Sequence, residues 1–60
     1  MIHQYRNIKG DVILVHTTND GKPIIHTGGM IHAVRRVNKD LEVGLNLTVK
    51  ELSTYKKESR

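Results

Sequence analysis

Cysteine is absent from this 60-residue chain, which excludes disulfides and every thiolate metal site. Phenylalanine and tryptophan are absent too, leaving Tyr5 and Tyr55 as the whole of that aromatic set. Platforms for stacking unpaired bases are therefore scarce. No apolar run approaches the length of a membrane span, and "MIHQYRNIKG" lacks the apolar core of a secretory signal. The expectation is a cytoplasmic protein with no membrane partner.

Motifs with a defined chemistry are missing as well. There is no G-x-G-x-x-G, no phosphate-binding P-loop, no H-E-x-x-H and no nucleophile elbow. Of the acidic residues, Asp20 and Asp40 fall in turn signals and Glu51 in a helix cap. A small sheet also offers little concavity for a water-excluded pocket. The expectation is a non-enzymatic protein with no catalytic residues and no cofactor.

What is present is a run of short, β-branched segments separated by turn signals. A chain this short forms one domain, residues 1–60, and has a marginal core unless self-association supplements it. A homo-oligomer is expected for that reason. "DVILVHTT" (11–18) leads into "NDGK", a strong hairpin signal. "PIIHT" (23–27) leads into Gly28-Gly29, "MIHAVRRV" (30–37) into "NKD", and "LEVGLNL" (41–47) alternates strictly between apolar and polar residues. "IHQYR" (2–6) supplies a further strand. From Thr48 the period changes. Thr48 and Glu51 form a capping box, and Val49, Leu52 and Tyr55 fall on one helical face, which predicts a helix over 49–58. The fold class expected is mainly β (α+β): an antiparallel sheet of about five short strands followed by one C-terminal amphipathic helix.

Register carries the reading further. With Asn38-Lys39-Asp40 as a three-residue loop, Val37 pairs with Leu41, Ala33 with Leu45 and Ile31 with Leu47. One face then collects Ile24, Ile31, Ala33, Val37, Leu41, Val43, Leu45 and Leu47, interrupted by His26 and Arg35, and is expected to be the core. "VILV" (12–15) has apolar side chains pointing both ways, as a central strand covered on both sides would. "LEVGLNL", with a single charge, is expected as an open edge.

The histidines are read from the same logic. If Gly28-Gly29 is a two-residue turn, His26 faces Ile31, His32 faces Ile25, and the two imidazoles project from opposite sides of the sheet. If Asp20-Gly21 is also a two-residue turn, His16 and His32 share a face two strand spacings apart, roughly 10 Å. Neither pair then shares an ion within one chain, and no metal site is assigned.

The net charge of +4 favours polyanions or acidic protein surfaces. Arg35 and Arg36 lie on a strand with His32, Lys22 and Lys39 lie in turns, and Lys50, Lys56, Lys57 and Arg60 cluster near the C-terminus. The candidate nucleic-acid contacts are Arg35, Arg36, Lys39, His32 and Lys22, because basic strands and hairpin tips can reach phosphates. The function expected is a small regulatory binding module acting on nucleic acid. The alternative is a protein-binding modulator or inhibitor that uses a sheet edge or face. Five short strands followed by one helix is similar, as architecture, to small dimeric RNA-binding regulators of the carbon storage regulator type, and "EVGLNLTVKEL" has a similar strand-to-helix shape. No motif in the chain transfers residues from them.

Overall fold

A computed structural model describes residues 1–58. Five strands form one antiparallel sheet: β1 (Ile2–Asn7), β2 (Val12–His16), β3 (Met30–Asn38), β4 (Leu41–Thr48) and β5 (Tyr55–Lys57), with one helical turn, α1 (Val49–Leu52), between the last two. Their order across the sheet is β4-β3-β2-β1-β5. The first four make a meander, and the chain then returns so that β5 pairs with β1.

β2 is the central strand, as its composition predicts. Its flanks run Gln4↔Leu14 and Tyr5↔Ile13 on one side and Leu14↔Val34 and Val15↔Ala33 on the other. Ile13 and Val15 are fully buried, whereas Val12 and Leu14 are half-buried, so only one side of "VILV" is closed over. On that side Tyr5, Ile13, Val15, Ile31, Ala33, Leu47 and Leu52 form the core, with Leu45 and Tyr55 packed against it. Burial raises the Tyr5 hydroxyl above its ordinary value of 10.0. Thr17 is buried with them; its hydroxyl meets His3 Nδ1 at 2.6 Å and its amide donates to the Met1 carbonyl at 2.8 Å.

The β3–β4 register matches the alternation: Ile31 pairs with Leu47, Ala33 with Leu45, Arg35 with Val43 and Arg36 with Glu42. The turn differs in detail. Asn38 pairs with Leu41, and the register shift between Arg36 and Asn38 makes Val37 a bulge. A two-residue turn plus one bulged residue gives the same register as a three-residue loop.

Two expected elements are corrected. Residues 23–27 form no strand; they make single bridges, Thr17↔Pro23 and Ile25↔Ile31, within a long connection. The predicted helix over 49–58 is a single turn over Val49–Leu52. Its capping box is as expected, with Thr48 Oγ1 accepting from the Glu51 amide at 3.1 Å. The stop comes from Ser53 and Thr54, whose hydroxyls bond back to the carbonyls of Lys50 and Glu51 and compete with the helix. Leu52 reaches the core, and Tyr55 then enters β5 opposite Asn7. The five-strands-then-helix outline behind the likeness to the RNA-binding regulators is therefore not the outline of this chain.

Candidate functional site

The cations divide by what they touch. Arg36, on the open face of β3, is held by Glu42 at 2.9 Å across the β3–β4 ladder. Lys22 stands 4.0 Å from Asp20, in the turn after Thr17. The Thr18 hydroxyl bonds the Asp20 carboxylate and holds it below the usual carboxylate range, with backbone amides and Lys57 adding to the effect against partial desolvation. Arg6 pairs with Glu58, which also accepts from the Gln4 amide at 2.6 Å. Lys57 donates to the Gly21 carbonyl at 3.5 Å. Gly21 has a φ of +83°, and a Cβ there would meet Lys57 Nζ at 2.6 Å, so this close approach requires glycine.

Among the described residues, Lys9, Arg35, Lys39, Lys50 and Lys56 make no ion pair. Lys50 stands apart on α1. The other four lie toward the end of the sheet where the meander turns, but not on one face: Arg35 shares the core-side register of Ala33, whereas Lys56 shares the opposite side with Arg6 and Val12. β1 passes into β2 just beyond the Arg6↔Val12 pair, which puts Lys9 at that end of the sheet. β3 pairs with β2 only at Leu14↔Val34 and Val15↔Ala33, so residues 35–38 run on past Leu14 toward the same end. Lys39 is at the tip of that hairpin, and Lys56 sits opposite Arg6 on β5. Beside the β1–β2 turn is an open depression of about 360 Å³ whose rim includes Ile8, Thr54 and Lys56. Exposed apolar side chains, Ile8, Val37, Leu41 and Val43, accompany these cations.

Of the five residues singled out from sequence, Arg35 and Lys39 thus belong together, Arg36 and Lys22 are already engaged by carboxylates, and His32 belongs elsewhere. Lys9 and Lys56 lie toward the same end of the sheet, Lys56 on the face opposite Arg35. Sequence reasoning missed Lys56 because a helix over 49–58 would carry it away from Arg6; only the β1–β5 pairing brings it back. Arg60, part of the C-terminal basic cluster, lies outside the described residues.

The histidine geometry reverses the sequence reading. The Gly-Gly turn holds three residues, Thr27–Gly29, with φ of 78° at Gly28 and 76° at Gly29. His26 donates its amide to the Met30 carbonyl at 2.8 Å, and Ile25 rather than His26 is opposite Ile31. The extra residue slips the register by one, so His26 comes to the same side as His32. Their rings meet edge to face with centroids 4.4 Å apart and planes at 67°. The separation of His16 from His32 also changes, because β2 is next to β3 with no strand between them. Both border an open depression of about 430 Å³ over Gly44. Among the described residues no group of three or more His, Asp or Glu is arranged to hold a metal ion.

No helix among the described residues is long and apolar enough to cross a membrane. The fold and its surface define a five-stranded antiparallel β protein with one helical turn and a basic, partly apolar end. Comparison with known proteins finds no matching family model, no similar curated protein and no similar solved structure.

Proposed function

We propose that this chain is a small, cytoplasmic, non-enzymatic regulatory module that binds nucleic-acid phosphates through the end of the sheet carrying Lys9, Arg35, Lys39 and Lys56. One observation supports this reading: among the described residues these cations make no ion pair and lie toward one end of the sheet, whereas Arg6, Lys22 and Arg36 are matched by carboxylates. An unpaired surface cation can exchange its counterions for a phosphate without first losing a protein partner. Tyr5 is buried and Tyr55 half-buried, so the contact is to the backbone of the nucleic acid rather than to stacked bases. The absence of enzymatic activity belongs to the same reading. Asp11, Asp20, Glu42, Glu51 and Glu58 all have structural partners, which leaves few acids for catalysis.

The test is fluorescence anisotropy with short duplex and single-stranded oligonucleotides across a salt series. Four phosphate contacts predict that log affinity falls with log salt at a slope of about −3 to −4. R35E/K39E weakens binding by at least about tenfold while K22E changes it by less than about threefold, because Lys22 already stands beside Asp20. No binding to either form at low salt overturns the reading.

A second reading has its own observation. β4 is an edge strand of eight residues whose only charge is Glu42, and its Leu41 and Val43 are exposed. Such an edge can accept a strand from a protein partner or from a second copy of the chain. Light scattering with concentration tests the second copy: a dimer that dissociates on V43K substitution supports it, and a monomer throughout removes it.

A further inference from the structure

The two sides of the sheet differ in cover. Ile13, Val15, Ile31, Ala33 and Leu47 are buried on the core side. On the other side none of the described strand residues is buried, and its middle is apolar, with Val12, Leu14 and Val34 half-buried. This open face is laid out in rows across the strands. One row crosses β4, β3, β2 and β1 as Gly44, Val34, Leu14 and Gln4. The next, two residues nearer the turn end, carries Glu42, Arg36, Val12 and Arg6. Gly44 is the one glycine whose backbone does not call for it, since the other four have positive φ. It sits in the middle of β4 with nothing within 4 Å of the position a Cβ would take, and it borders the depression of about 430 Å³. A glycine inside a strand weakens it, and often marks where a ligand or another backbone comes close.

We propose that this open face packs against the same face of a second copy, about a two-fold axis that runs parallel to the strands between β2 and β3. Such an axis keeps every row and reverses the strand order. In the apolar row, Leu14 lies over Val34 of the second copy, and Gln4 lies over the depression at its Gly44. In the charged row, Glu42 lies over Arg6 of the second copy, and Arg36 lies over its Val12. With the acid on β4 and the base on β1, the face is its own electrostatic complement. An axis across the strands would set β4 over β4 and leave Glu42 three strands away from that arginine. Stacked sheets lie about 10 Å apart with their strands within about 30°. Four overlapping strands, along about five residues of each, make a patch of about 19 by 17 Å. That is toward the small end of specific interfaces and predicts a reversible dimer. β5 stays outside the overlap, so Lys56 remains open. The rows are kept, so the ends carrying Lys9, Arg35 and Lys39 lie at the same end of the pair. The dimer does not depend on the phosphate-binding reading.

Sedimentation velocity on the full chain, without nucleic acid and from about 1 µM to about 1 mM, tests this. The expected result is a passage from monomer to dimer. L14K in the apolar row and G44L at the depression each weaken the dimer at least about tenfold. V43K, whose side chain is on the core side, changes it less than about threefold, which separates this face from pairing between β4 edges. Glu42 and Arg6 stand three strand spacings apart within one chain, about 14 Å. Non-additive effects of E42Q and R6Q on the dimerisation constant therefore report a contact between copies, and these surface changes leave the core untouched. Isotope-filtered NMR on mixed labelled and unlabelled chains is expected to show Leu14 of one copy against Val34 of the other. A monomer at every concentration overturns the proposal. So does a dimer that survives both L14K and G44L, or one that V43K dissociates, or strict additivity of E42Q and R6Q.

Discussion

The two halves of the β3–β4 hairpin obey one alternation pattern and meet different fates. In the half nearer α1, Ile31 is 1% exposed, Ala33 2% and Leu47 7%. In the half nearer the turn, on the same face of the same strands, Val37 is 54% exposed, Leu41 49% and Val43 38%. Alternation fixes which side of a strand is apolar; burial depends on what stands opposite. The near half is flanked by β2 at Leu14 and Val15 and packed by Leu52 of α1, and the far half runs beyond both. The near half makes the fold. The far half, with Arg35 and Lys39, is left for something else to meet.

Substitutions can break this contrast or sharpen it. Ile31→Ala leaves a cavity in the near half and is expected to cost about 2–5 kcal/mol, whereas Val43→Ala in the far half changes stability by less than about 0.5 kcal/mol. Denaturant melts of the two variants check this, and equal losses would erase the distinction. Thr48→Ala removes the cap of the turn that carries Leu52 over the near half, and about 1 kcal/mol of stability goes with it. Smallest is the Arg36–Glu42 pair, exposed on both sides. A double-mutant cycle with glutamine at both positions is expected to give a coupling of at most about 0.5 kcal/mol, shrinking further with added salt. A larger coupling would make the far half a structural element in its own right.

How much of this could be read from sequence follows from the same physics. The pairings Ile31↔Leu47 and Ala33↔Leu45 were legible because seven alternating residues fix a register more firmly than the turn does. The capping box of Thr48 and Glu51 announced where α1 begins but carried no information on its length. Val49, Leu52 and Tyr55 mimic a longer helical face, although Tyr55 belongs to a three-residue strand that pairs with β1 and packs Tyr55 against the core. A strand that short has no period of its own to read. The Gly-Gly turn was recognisable as a turn, yet two and three residues are both compatible with it, and the difference of one moved His26 across the sheet. Among the site residues, Arg35 and Lys39 were legible as basic positions at a hairpin tip. That Arg36 is spent on Glu42, and that Lys56 lies opposite Arg6, are facts of cross-strand pairing that no local pattern encodes.

The claim that the far half of the hairpin and its neighbours form the binding surface is tested most directly by amide NMR shifts during titration with a short oligonucleotide at low salt. The account predicts perturbations concentrated at residues 8–10, 35–43 and 54–56, with the amides of Ile13, Val15, Ile31 and Leu47 unmoved. Perturbations centred instead on His16, Lys22 and His32, or spread evenly over the sheet, would contradict it.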